Sequence, residues 1–391
     1  MTVAPPPAGM VDDGGSPWHA EGASLSTRYD VALLDLDGVV YRGADPVAGA
    51  PEALAAARAA GMRMAFVTNN ASRTPQQIVA HLGELGVPAQ PDEVVTSAHA
   101  AATLAVERLG PGGRVFVVGG DGLRDAVAGV GLVLVERYDA VPAPQMVVQG
   151  FSPDLRYEDL AQAALAVAAG ADWVATNADA TLPTSRGLQP GNGTLVAAVA
   201  AAAGRQPVVA GKPERALVEE AVRRSGAQHP LMVGDRLDTD IAGAVRAELD
   251  SLLVLTGVST VADLLAAAPA ARPTYVGASL AALGAAQTPI ADFGTLPTQR
   301  RTGWQAETWP GSLRLTRTGG GPADPLDAVR TLIAAAWAGL DAGEPVTRVA
   351  VDSALEASLL AAGVPGELFP ATPAPDAGPS TTLAGDARAG R

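Results

Sequence analysis

Val31-Ala32-Leu33-Leu34-Asp35-Leu36-Asp37-Gly38-Val39-Val40 decides the fold class of this 391-residue chain. Val31 to Leu34 is short enough for a strand and apolar enough to be packed on both faces, the pattern of a buried parallel strand. The run closes on two carboxylates one residue apart. Strand side chains alternate between faces, so a regular strand points Asp35 and Asp37 the same way. Gly38 then lets the chain turn sharply. Ligands of open α/β sheets bind just outside the carboxyl ends of the strands, where these acids fall. Two such carboxylates repel each other unless a cation or a shared proton relieves them, so a divalent metal site is the first expectation.

Outward from this stretch, short β-like runs alternate with Ala-rich helical runs. Strands are predicted at 31–36, 63–68, 93–96, 114–118, 145–149, 172–176, 207–210, 231–234, 252–256 and 274–277. Helices are predicted at 51–60, 74–85, 97–108, 122–129, 156–169, 193–203, 213–225 and 240–247. That alternation specifies βαβ units and an α/β fold with a mostly parallel sheet. Residues 1–27, rich in Pro, Gly and Ala, are expected to be disordered. The run 286–302 reads as a linker, 303–365 as a small α+β domain, and 366–391 as a disordered tail.

Composition narrows the chemistry. Aromatic residues are only 4%, so Ala, Val and Leu must fill the core. A net charge of −14 argues against a nucleic-acid partner and gives no long-range attraction for an anionic substrate. The chain has no cysteine, which removes disulfides, thiolate nucleophiles and Cys-bound zinc. Its four histidines, His19, His81, His99 and His229, lack metal-ligand spacing. No apolar run reaches transmembrane length and no signal-peptide pattern is present, so a cytoplasmic location with no membrane partner is expected.

Four further segments fall at predicted strand ends. Thr68-Asn69-Asn70 offers a hydroxyl and turn amides as an oxyanion cradle. Gly211-Lys212-Pro213 puts a point positive charge before a helix that Pro213 suits as its first turn. Gly234-Asp235, with Asp240, forms an acidic loop. Asn177-Ala178-Asp179 follows the apolar run 173–176.

In chain order, these motifs resemble those of the haloacid dehalogenase-like hydrolase superfamily, over roughly residues 28–285. The narrower likeness is to the NagD-like and para-nitrophenylphosphatase-like subgroup, which includes glycerol-3-phosphate phosphatase-like members. The resemblance implies a Rossmann-like core over 28–98 and 201–285, with an α/β cap inserted at 99–200. It implies that Asp35 is the nucleophile forming an aspartyl-phosphate and that Asp37 is the general acid and base. Magnesium would be held by the Asp35 side chain, the Asp37 backbone carbonyl and Asp235, with Asp240 ordering the metal site or holding Lys212. Thr68, the turn at Asn69 and Asn70, and Lys212 would neutralise the phosphoryl oxygens. Asn177 and Asp179 would face the cleft from the cap and bind substrate, although Ala178 stands where the subgroup usually has proline.

The resulting expectation is a magnesium-dependent phosphatase for a small phosphorylated metabolite such as glycerol 3-phosphate. Phosphoglycolate or a broad, para-nitrophenyl phosphate-type specificity is the alternative, as is a weakly active regulatory protein on the same fold. By the same resemblance, 303–365 corresponds to a degenerate acetyltransferase-like (GNAT-like) appendage. It is expected to serve packing or homo-oligomerisation, with Trp304 and Trp309 as anchors. Gly319-Gly320-Gly321 ahead of a helix only superficially matches an acyl-CoA loop, and Pro322 and Pro325 suit a plain helix entry.

Overall fold

The computed structural model describes residues 22–291 apart from 185, and 303–369 apart from 310, 311, 318–323, 346, 352 and 365. The expected strand at 31 is the central element. Six parallel strands lie in the order Tyr275–Gly277, Asp250–Val254, Pro230–Gly234, Val31–Leu34, Arg63–Thr68 and Val94–Thr96. The chain builds one half of this sheet outward from Val31–Leu34 and then returns to build the other half. The strand order therefore reverses between Val31–Leu34 and Pro230–Gly234, the position where open α/β sheets bind ligands. Alternation along the strands splits the core. Ala32, Leu34, Phe66, Leu231 and Val233 pack on one face, and Val31, Leu33, Ala65, Val67 and Met232 on the other.

The insertion carries a second parallel sheet, in the order Val208–Val209, Asp172–Ala175, Met146–Gln149, Arg114–Val118 and Val133–Val135. Helix Ser97–Leu109 touches elements of both sheets. Its buried Ala98, Ala101, Ala102 and Ala105 share one apolar cluster with Leu33 of the first sheet and Val148 of the second. Small side chains permit that close approach in a chain poor in rings. The reading of a core that resumes at 201 needs correction. Val208–Val209 pairs with Val174–Ala175 at the open edge of the cap sheet, and Ala210 N still donates to Ala175 O.

Three other expectations shift. The lead-in expected to reach residue 27 gives way to a short helix at Leu25–Arg28, with Leu25 fully buried. In the expected linker, Ile290 is buried and its N–H donates to Thr274 O; residues 292–302 lie outside the described ones. No strand is predicted between 177 and 206, yet a hairpin forms there, Thr181–Thr184 with Gly187–Pro190, because Pro183 and Pro190 mask its strand pattern.

The C-terminal segment forms a three-stranded sheet, Trp304–Trp309, Ser312–Arg317 and Arg348–Ala350, packed by helix Pro325–Asp341. Trp304 is buried in this unit, and its Nε1 donates to Asp324 O at 3.1 Å. Leu332, Ile333 and Trp337 of the helix share a cluster with Val261, Leu264 and Val276 of the larger domain. The Gly319-Gly320-Gly321 run and Pro322 lie outside the described residues, as do 370–391 of the expected tail. Phe369 just before that tail is buried. No helix among the described residues is long and apolar enough to cross a membrane.

Candidate active site

Asp35 leaves the end of the central strand with its N–H on Val233 O at 2.9 Å. The regular strand stops at Leu34, so the alternation that would align Asp35 with Asp37 does not extend to them. Instead, Leu36 is buried and its carbonyl accepts from Val39, Val40 and Tyr41 N–H groups, rolling the chain into a tight loop. Gly38 has φ +83°, and a side-chain carbon there would strike the Asp235 carboxylate. Glycine is thus required twice over, by conformation and by space.

Lys212 is the electrostatic centre. Its side chain is 2% exposed, and Nζ lies 2.5 Å from Asp35 Oδ1 and 2.7 Å from Asp240 Oδ1, and donates to Val67 O at 3.2 Å. Burial pulls the ammonium pKa down, but the facing Asp240 and Asp35 carboxylates outweigh it and raise it. Burial raises the Asp35 carboxyl well above the ordinary range, with Lys212 pulling against it and Asp240 and Asp235 adding to the rise.

Asp235, at the end of the adjacent strand, accepts from Val258 N at 2.7 Å through Oδ2, while Oδ1 is buried without a protein partner. Burial, then Asp240, pushes its carboxyl up to about 6. Asp240 rides on a π-helical turn, Leu237–Ile241. That turn brings its Oδ2 back to the N–H groups of Asp235 and Arg236 at 3.2 and 3.1 Å. Such wide turns recur at functional sites.

Ligand oxygens of Asp35, Asp235 and Asp240 lie within 4.8 Å of one another, the one such group among the described residues. Three carboxylates facing one ammonium leave two negative charges uncompensated. An all-oxygen donor set with one orphaned buried carboxylate oxygen fits a hard divalent cation such as magnesium. Asp240 already engages both its oxygens, with Lys212 and with two amides, and so suits an ordering role.

Asp37 lies outside that cluster and is exposed. The surrounding protein raises its carboxyl, against the Arg73, Lys212 and His81 charges. Thr68 is buried, and its Oγ1 accepts from Asn70 N at 3.1 Å. This occupies one of the turn amides expected to be open for an anion. Asn70 Oδ1 in turn accepts from Ser72 N, Ser72 Oγ and Arg73 N, which makes Asn70 a turn-former.

The cap residues reach this site through Asn69. Asn177 Nδ2 donates to Asn69 O at 2.8 Å, and Asn69 Nδ2 lies 3.3 Å from Asp179 Oδ2. Burial raises the Asp179 carboxyl, and the Asn69 hydrogen bond lowers it. Asn192 Nδ2 holds Asn177 O from behind at 2.8 Å. Sequence reading passed over Ser97, Arg73, Asn192 and Val258. Ser97, Arg73 and Val258 each follow a strand of the core sheet within a few residues, a signal that could have found them.

A family model described as haloacid dehalogenase-like hydrolase matches residues 32–133, and a HAD-hydrolase-like model matches 209–283. The chain is 46% identical over 319 residues to the D-glycerol 3-phosphate phosphatase of Mycobacterium tuberculosis, covering 80% of this chain and 87% of that protein. It is 39% identical over 241 residues to an acid sugar phosphatase of Staphylococcus aureus, covering 61% and 90%. Among solved structures, the M. tuberculosis glycerol phosphate phosphatase in complex with magnesium superposes with TM-score 0.77 at 44% identity, over 87% of this chain and 98% of that one. The 4-nitrophenylphosphatase of Thermotoga maritima gives 0.61 at 33% identity, over 66% and 98%.

Proposed function

Because this chain belongs to the haloacid dehalogenase-like hydrolases, we propose that it removes the phosphate of glycerol 3-phosphate, with Asp35 as nucleophile and Asp37 as general acid and base. It is a phosphoric monoester hydrolase acting on small phosphorylated metabolites, and magnesium is its cofactor. The observation that carries the reading is the Asp35–Lys212–Asp240 chain of ion pairs beside the orphaned oxygen of Asp235, at the point where the strand order reverses. The named activities of the relatives supply the ester.

Asp35 and Asp235 would hold the magnesium, with the Asp37 carbonyl completing the protein ligands, while Asp240 orders both Asp235 and Lys212. When bound, the metal neutralises negative charge where the phosphoryl group and the carboxylates meet. An Asp35 carboxylate oxygen forms a bond to phosphorus as the ester oxygen leaves. Asp37, whose carboxyl is raised by its surroundings, gives that oxygen its proton. The Asp37 carboxylate then takes a proton from a water whose oxygen attacks the same phosphorus. The aspartyl–phosphate bond breaks, and inorganic phosphate and free Asp35 result. Lys212 and Thr68 face the equatorial oxygens, where charge gathers. The cap over the cleft favours a small ester.

Phosphate release should be measured from glycerol 3-phosphate, phosphoglycolate and para-nitrophenyl phosphate, with magnesium and with chelator. Magnesium-dependent release with glycerol 3-phosphate preferred supports the reading. Preference for another ester removes the substrate assignment, and no release from any ester removes the activity.

A further inference from the structure

Asn69 is not placed as a simple substrate ligand. Its Oδ1 accepts from Lys212 N at 2.8 Å, and its Nδ2 donates to Lys212 O at 3.0 Å, so one carboxamide pairs with both main-chain groups of the lysine. The same Nδ2 lies 3.3 Å from Asp179 Oδ2 on the cap. The Asn69 carbonyl accepts from Ser97 Oγ at 2.6 Å, on the core, and from Asn177 Nδ2 at 2.8 Å, on the cap. Ser97 is fully buried. Gly211 makes room for this arrangement: a side-chain carbon there would lie 2.7 Å from Asn69 Oδ1 and 2.5 Å from Thr176 O.

We propose that Asn69 is a positioning residue that fixes the main chain of Lys212 and latches the cap loop Asn177–Asp179 to it. The proposal rests on the phosphatase reading for its kinetic consequence, but the geometry is independent of it. A lysine carries its charge on a flexible four-carbon stem, so the site of Nζ depends on where the stem is rooted. Two hydrogen bonds to N and O of one residue hold that root, and Ser97 holds the holder. The contacts to Asp179 and Asn177 make the lysine's position depend on a seated cap. Residues that orient a charged group act through its geometry, and displacement of about 1 Å costs on the order of a hundredfold in rate.

The test compares wild type with Asn69→Ala, the isosteric Asn69→Asp, and Asn69→Asp combined with Asp179→Asn. Backbone hydrogen exchange and magnesium-dependent hydrolysis of para-nitrophenyl phosphate are both measured. In Asn69→Ala, amides of the 209–214 segment should exchange about tenfold faster, because the Lys212 N–H loses its acceptor. The kcat should fall by about tenfold to a hundredfold with KM nearly unchanged. Asn69→Asp sets a carboxylate against Asp179 and Lys212 O, and should lose activity too. Adding Asp179→Asn should recover at least about fivefold, since the two positions couple directly. Unchanged exchange in 209–214 overturns the proposal, as does a rise in KM at constant kcat, or no recovery in the double variant. If wild type hydrolyses no ester, the phosphatase reading fails, and the exchange comparison alone decides the latch.

Discussion

Gly257 packs so closely on Asp235 that any side-chain carbon on the glycine would fall inside the carboxylate. Its neighbour Val258 donates its N–H to the same carboxylate at 2.7 Å. The loop after strand Asp250–Val254 is therefore a mould for one acid, turning Oδ2 onto the main chain and leaving Oδ1 free of protein partners.

Gly257→Ala should accordingly weaken magnesium binding without touching a ligand. Overpacking costs about 1–3 kcal/mol, which transferred to the metal site raises the magnesium needed for half-maximal activity by on the order of tenfold. A magnesium titration of activity checks this. An unchanged midpoint would mean that Asp235 does not hold the metal.

Asp240→Asn keeps the shape of the side chain and removes one of the two charges facing the buried Lys212 ammonium. Breaking a buried pair from one side costs about 3–5 kcal/mol. Urea unfolding should show a loss of this size, together with a large fall in kcat. Wild-type stability in the variant would show that the pair contributes nothing.

His99 gives the fold a specific acid sensitivity. Thr96 N–H donates to its Nδ1 at 3.1 Å, which requires a neutral ring, and burial followed by the Arg224 charge pushes its pKa down to about 4. The unfolded chain takes up this proton near the ordinary value of about 6.5. The contribution is thus fully present above about pH 6.5 and is lost as pH falls towards 4, by about 3 kcal/mol in all. His99→Gln keeps an acceptor at this capping position. It should narrow the gap in urea-unfolding stability between pH 7 and 4; an equal gap in both proteins refutes the assignment.

Much of this was readable in advance because parallel strands buried on both faces announce themselves as short apolar runs. Val31–Leu34, Arg63–Thr68 and Pro230–Gly234 all lie where the pattern put them. The acids and Lys212 were visible because they follow those runs. The edge strands Val133–Val135 and Val208–Val209 were harder. No strand is predicted at the first, and the second falls in the expected core range but pairs with Val174–Ala175, since a short apolar pair does not say which open edge it joins. The roles of Asn69, Asn70 and Ser97 depend on which main-chain groups the fold brings to them, over separations as long as Asn69 to Lys212. Local pattern carries no record of such partners.

The C-terminal unit is held by directed contacts as well as apolar ones. Trp337 Nε1 donates to Leu264 O at 2.7 Å, Arg272 lies 5.1 Å from the centre of its ring, and Arg330 donates to Val276 O at 2.6 and 3.0 Å. Trp337→Ala should destabilise the protein by about 3–5 kcal/mol. KM for the ester should not move, because the hydrogen bond and ring contact of the tryptophan are to Leu264 and Arg272 and not to the acidic site. Thermal unfolding and steady-state kinetics on one preparation separate the two effects, and a raised KM would tie this unit to the active site.

If the Asp35 carboxylate attacks phosphorus, its loss is read first in the rate of phosphate release by Asp35→Asn in magnesium. That rate should fall at least about ten-thousandfold in a protein that still unfolds cooperatively, because the nucleophile of the covalent intermediate is gone. Release within about tenfold of wild type would contradict it, since a barrier change of about 1.4 kcal/mol is far too small for the loss of a nucleophile.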